Sequence, residues 1–444
     1  MNKVSAHLIA TATATATALF VLVSPLRAAE ITDVADADDT IKLGTIERYD
    51  PYDFYLGTRF ELFKANGKIA REPIDGGLQD SECSSERPQD CRPVNELDWS
   101  LSSMILHVDA QVALYRDLAL TVHLPVYLQH EYSFTKTGQT TTIDPTGSAD
   151  DRLFGVPSTY AFGGLGQLEL GVAWGVTSDE RSSSLPSWVL FFNWSSPWTS
   201  EVYDPVAHAT RTKKPMGTGI HMVTFGTRLS KRVANLGLVG IDKKLHRRGY
   251  LDPYFSISYT LPIPDRSSAL ADFKETPGNP FGMRPSHLAD VAAGLEIVAH
   301  EDYSKQEKVA LDLGMRARFN SEGRNYSILS AALQEPTYTE QFLDIAGRIA
   351  IVGQPIETIK LIASFDIGSR TDHFLTNENV GEDRNGDNQV DPDNDDMNPY
   401  FCGNTEGDLC QGNASQNSYD QIGFRFRDQE HSYWSLIFSF VLTL

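Results

Sequence analysis

Asp109 and His123 are the pair in this 444-residue chain best placed for chemistry. A hairpin centred on Arg116 sets them opposite one another, a carboxylate beside an imidazole. That is the orienting half of a nucleophilic triad. No GxSxG-type elbow is present, and no serine stands clearly beside the pair, so an ion pair is the plainer reading. Cys83 and Cys91 form one cysteine pair and Cys402 and Cys410 another, each eight positions apart in a polar, turn-rich stretch. In an oxidising compartment this spacing predicts two loop-stapling disulfides. Zinc is the weaker alternative, because CxxC spacing and nearby histidines are both lacking.

A third grouping is acidic. Asp383, Asn385, Asp387, Gln389 and Asp391 put oxygen-bearing side chains at alternate positions, and Asp393, Asp395 and Asp396 follow. Hard cations take oxygen ligands in this way, so the segment is a candidate structural Ca2+ loop within 383–396. It is similar to the D-x-N-x-D-x-x-x-D pattern of calcium-binding repeats. It departs from the EF-hand consensus, with Asn388 in place of the glycine and Asn394 in place of the final glutamate. A solvated acidic loop is the alternative.

The elements that would carry these groups are strands. Side chains of a β-strand alternate between two faces, and this chain alternates repeatedly. Leu106, Val108, Ala110, Val112 and Leu114 share one face, while His107, Asp109 and Gln111 take the other. The pattern recurs at Val309–Phe319, at Leu343–Ile351, at Ile359–Ile367 and in the last dozen residues. Twelve strands are predicted, at 54–64, 102–114, 118–133, 166–177, 187–195, 219–232, 252–262, 288–300, 308–320, 340–352, 358–372 and 420–444. Connections after the odd strands are longer and polar, and those after the even strands are mostly short. Such asymmetry marks membrane barrels, with short periplasmic turns and long extracellular loops. Both cysteine pairs and the acidic segment then fall in long loops.

A soluble β-sandwich also alternates. Two features favour the membrane. The face opposite the apolar one carries Arg59, Glu61, Asp109, His123, Glu296, Asp312, Arg316, Arg318, Asp344, Arg348, Lys360 and Asp366, and so many charges cannot sit unpaired in a dry core. They are the predicted lumen lining. Aromatics near segment ends, namely Phe54, Tyr55, Trp188, Trp194, Trp198, Tyr254, Tyr433 and Trp434, are placed for interfacial girdles.

From residue 53 to 444 the chain resembles Gram-negative outer-membrane β-barrel proteins, porin-like ones included, without pointing to a subfamily. The likeness rests on the strand pattern, the alternating connections and the closing Tyr433–Leu444 strand with its alternate aromatics. It implies outer-membrane lipid as the surroundings and the barrel-assembly machinery as a biogenesis partner. The terminal residue is Leu444 where that family typically ends on an aromatic. Residues 1–29 read as a signal peptide, with Lys3 ahead of an apolar run and small residues at Ala28 and Ala29. Residues 30–52 read as a periplasmic lead-in. Removing 1–29 takes away Lys3 and Arg27 and no acid, which moves the formal charge from −21 to about −23. Nucleic-acid binding, which needs a basic footprint, is disfavoured.

The expected function is a channel or transporter for small hydrophilic solutes, not an enzyme. Arg316, Arg318 and Arg348, with Lys360 and Arg370 beside them, would make a basic stripe attracting anions. In the rival reading Asp312, Asp344 and Asp366 pair with these bases and close the barrel. The alternative functions are a non-conducting barrel whose extracellular loops bind a partner or surface and, more remotely, a lipase-type enzyme.

Overall fold

Alternating side chains fix which face of each strand meets the partner layer, and here the apolar faces turn outward all round a closed cylinder. The computed structural model describes residues 54–72, 94–115, 118–137, 159–177, 184–203, 208, 210–233, 250–265, 284–302, 307–330, 336–356, 358–377 and 425–443. The predicted signal peptide and lead-in, the four cysteines with their predicted disulfides and the candidate calcium segment 383–396 lie outside them.

Twelve antiparallel strands form the wall. In chain order they are β1 Phe54–Arg71, β2 Val94–Tyr115, β3 Leu118–Lys136, β4 Leu168–Thr177, β5 Ser187–Ser196 and β6 Ile220–Ser230. They continue as β7 Tyr250–Pro264, β8 Leu288–Asp302, β9 Glu307–Asn320, β10 Phe342–Ile356, β11 Ile359–Arg370 and β12 Phe426–Thr443. Each pairs with its sequence neighbour, and β12 pairs with β1 from Tyr55↔Thr443 to Arg71↔Phe426, which closes the barrel. Closure removes every edge, which a strand structure in lipid requires. All twelve predicted strands are found. The difference is at the long-loop end, where β1 and β2 run on through residues predicted as loop.

The outward residues form an apolar belt. Met315 is 63 % exposed, and Ile351 and Ile367 are each 59 % exposed. Phe192, Phe225 and Phe438 are also exposed, on other sides of the cylinder. A water-soluble sandwich would bury this face, so the belt decides for lipid. Of the predicted girdle aromatics, Trp188, Trp198 and Trp434 are exposed on it. Tyr55, Tyr254 and Tyr433 turn inward instead: Tyr55 and Tyr433 are buried, and Tyr254 reaches an inner carboxylate. A phenol hydroxyl needs a polar partner when it leaves water, and the inner face supplies carboxylates.

At the long-loop end several connections fold back over the mouth. Thr159–Leu165 pairs along β3, and Lys213–Lys214 lies parallel to it. Gly323–Asn325 and Thr337–Thr339 make a separate two-stranded sheet. Their residues Leu329, Arg324 and Thr337 are almost wholly buried.

Candidate functional site

The inner wall has two characters. Over the short-turn half of β1–β3 it is charged and paired. Asp109 and His123 face each other in the strand register, and His123 Nδ1 lies 2.6 Å from Asp109 Oδ1. Arg59 Nε donates to Asp109 Oδ2 at 3.0 Å. Glu61 contacts His107 Nε2 at 3.0 Å, and the His107 and His123 rings stack at 5.2 Å. Asp109 is therefore held by a guanidinium and an imidazole together, a wall-bound ion cluster.

The β8–β11 wall is charged over a longer stretch. Lys308 Nζ sits 2.6 Å from Glu296 Oε1, and Arg318 Nε 2.7 Å from Asp290 Oδ1. Arg348 grips Asp366 with two donors at 2.8 and 2.9 Å, the strong fork geometry. Arg370 Nε donates to Asp344 at 3.0 Å, and Tyr433 donates its hydroxyl to the same carboxylate. Tyr254 donates to Asp312 at 3.4 Å. Arg316 and Lys360 also have partners. Arg318, Arg348 and Arg370 are thus each paired with a carboxylate on a neighbouring strand rather than left as a bare basic stripe.

Toward the long-loop end the β1–β3 and β12 wall changes to aromatics, around a cavity of about 630 Å³. Phe63, Trp99, Tyr132 and Phe162 line it, along with loop residues such as Tyr203 and Tyr326. Trp99 and Tyr132 stand 6.3 Å apart, and Tyr132 and Phe162 also 6.3 Å, as interlocking rings. Roughly 300–1,000 Å³ with a mainly apolar lining and few polar groups is the usual build of a small-molecule site.

Two irregularities bring polar groups into it. The β2–β3 register shifts between Met104/Gln129 and Ile105/Tyr127. The extra residue resets the alternation, so His130 and Tyr132 face inward although their even numbers continue the outward set Leu120, Val122 and Leu128. The β1–β12 register shifts opposite Gly67, where Glu430 takes φ 53°. That left-handed residue lets both Asp428 and His431 face the cavity, three positions apart. Re-aiming a side chain is a known use of a bulge. Asp428 then accepts from Trp99 Nε1 at 2.9 Å and from His431 Nδ1 at 2.7 Å. His373, beyond β11, stacks on Phe342 at 4.2 Å. Burial, the largest influence on it, lowers its pKa from the ordinary histidine value. Counting parity along a straight strand misses all of these. Only a bulge, which leaves no firm mark in one sequence, reveals them.

No group of His, Cys, Asp and Glu among the described residues is arranged to hold a metal ion. No family model matches the chain, and no curated protein does either. Among solved structures it is similar to an outer membrane channel from Pseudomonas putida F1, at 9 % identity and TM-score 0.39, covering 87 % of this chain and 95 % of that one. It is also similar to a Pseudomonas aeruginosa FadL homologue, at 10 % identity and TM-score 0.28, covering 88 % and 90 %. A TodX monoaromatic hydrocarbon channel mutant follows at 9 % identity and TM-score 0.26, covering 88 % and 90 %. Likenesses this distant carry no weight for subfamily or substrate. The outward belt and the closed wall decide the class.

The chain is a closed β-barrel of the membrane-spanning type.

Proposed function

We propose that the chain is an outer-membrane channel for small molecules, entered through the aromatic cavity at its long-loop end. The observation carrying this reading is the cavity itself, concave, mainly apolar and set in the barrel mouth. Its lining favours solutes with an apolar or aromatic body over the small hydrophilic, anionic solutes expected from the sequence. The anion expectation needed unpaired bases, and Arg318, Arg348 and Arg370 are each bound to a carboxylate. The paired wall also supports a second reading, a non-conducting barrel that binds a partner with its loops.

Planar-bilayer recording separates the two. The channel reading expects discrete conductance steps that shrink when millimolar p-cresol is added on the loop side. Silence across many insertions, or steps indifferent to the aromatic, overturns it.

A further inference from the structure

Three histidines line the cavity, and each has its Nδ1 engaged. His373 Nδ1 lies 2.9 Å from the Thr371 carbonyl oxygen, which can only accept, so this nitrogen carries the proton. His431 Nδ1 lies 2.7 Å from Asp428 Oδ2, a carboxylate also held by Trp99. His130 Nδ1 lies 3.1 Å from Ser103 Oγ, whose own proton goes to the Gln129 carbonyl at 3.2 Å. In the neutral ring a protonated Nδ1 leaves Nε2 as a bare acceptor. Nε2 of His431 is buried with no partner. The Tyr160 hydroxyl, in the same lining, is buried without a partner too.

With His431 Nε2 sealed in the wall, His130 and His373 remain as acceptors oriented from behind among aromatic rings, which does not suit a plain hydrocarbon. A ligand donor that enters such a wall loses its water, and an acceptor in the wall offsets that cost. The His130 ring itself is packed edge-on against Tyr127, Tyr132 and Phe162 at 5.3 to 5.9 Å, which fixes its place in the wall. We infer that the cavity selects small aromatic molecules bearing hydroxyl or other N–H or O–H donors, which the Nε2 atoms of His130 and His373 receive. This rests on the channel reading above and names its substrate class.

The test uses the full-length mature barrel in phospholipid nanodiscs and equilibrium dialysis of p-cresol and p-xylene, with empty nanodiscs correcting for lipid uptake. The two probes share a shape and differ by one hydroxyl in place of a methyl. The expected result is that His130→Phe combined with His373→Phe lowers the p-cresol to p-xylene affinity ratio by about tenfold, since one satisfied donor is worth roughly that much. p-Xylene binding is retained. The corresponding His→Gln pair, which keeps an acceptor at each site, holds the ratio within a few-fold of the parent and guards against misfolding of the Phe variant. If both probes bind and the ratio is unmoved by the Phe substitutions, the inference falls and the channel reading stands. If neither probe binds beyond empty nanodiscs, the aromatic cavity is no solute site and both fall.

Discussion

His373 shows what burial does to one residue at the cavity edge. Its pKa lies below the ordinary value, chiefly through burial, with Arg370 and His431 acting in the same direction and the Thr371 carbonyl and Asp428 opposing. In the unfolded chain it returns to about 6.5. Between the two values the unfolded state binds more protons, so stability is full above about pH 6.5 and declines as pH falls below it. Urea titrations in detergent at pH 8 and pH 5 are expected to show this loss, and His373→Gln to flatten part of it. An unchanged pH slope in the variant would contradict the assignment. At this scale the sequence was readable for Asp109 and His123, which the register of β2 and β3 sets opposite one another. It was not readable for His130 or for Asp428 with His431, because a single inserted residue reverses parity downstream of it.

Among the elements, β7, β8 and β9 are locked by one tyrosine. Tyr254 reaches from β7 to Asp312 on β9, across two glycines. A Cβ at Gly294 would collide with the Tyr254 hydroxyl, and one at Gly314 would stand 2.5 Å from it. These glycines are needed for close approach rather than for unusual backbone angles. Gly294→Val is expected to push Tyr254 off Asp312 and to cost about 1–3 kcal/mol, the usual range for overpacking. In the Tyr254→Ala background the same valine should cost much less, and equal costs in the two backgrounds would show that the contact is not responsible. The strands themselves were plain in the sequence because alternation runs uninterrupted through most of them. The outer extensions of β1 and β2 were not. There residues such as Ala65, Ile69, Leu97 and Trp99 are buried against loop segments, so the polar-versus-apolar rhythm fades.

For the whole molecule, the belt sets the solvent. Ile349 stands midway along β10 and is 54 % exposed on the lipid side. A lysine near the bilayer midplane of a barrel costs about 2–4 kcal/mol, so Ile349→Lys should lower folding stability in lipid vesicles by that order. The matched change at an exposed loop position such as Thr210 should leave stability nearly unchanged. Comparable losses at both sites would mean that Ile349 does not face lipid. The twelve-strand count and the inward charges were visible at this scale from the sequence, as connection lengths and as a second, polar face. The aromatic chamber was not, because loops distant in sequence complete it.

The ion pairs described above mostly tie one strand to its immediate neighbour: β1 to β2 to β3, β8 to β9, and β10 to β11. Their charges cancel along the staves of the cylinder rather than across its diameter. Widening the bore therefore need not tear any of these contacts, and a passing solute meets oriented dipoles in place of a net field. Under the proposed channel function, traffic through such a throat would be governed by girth and greasiness, and dissolved salt would have little to screen.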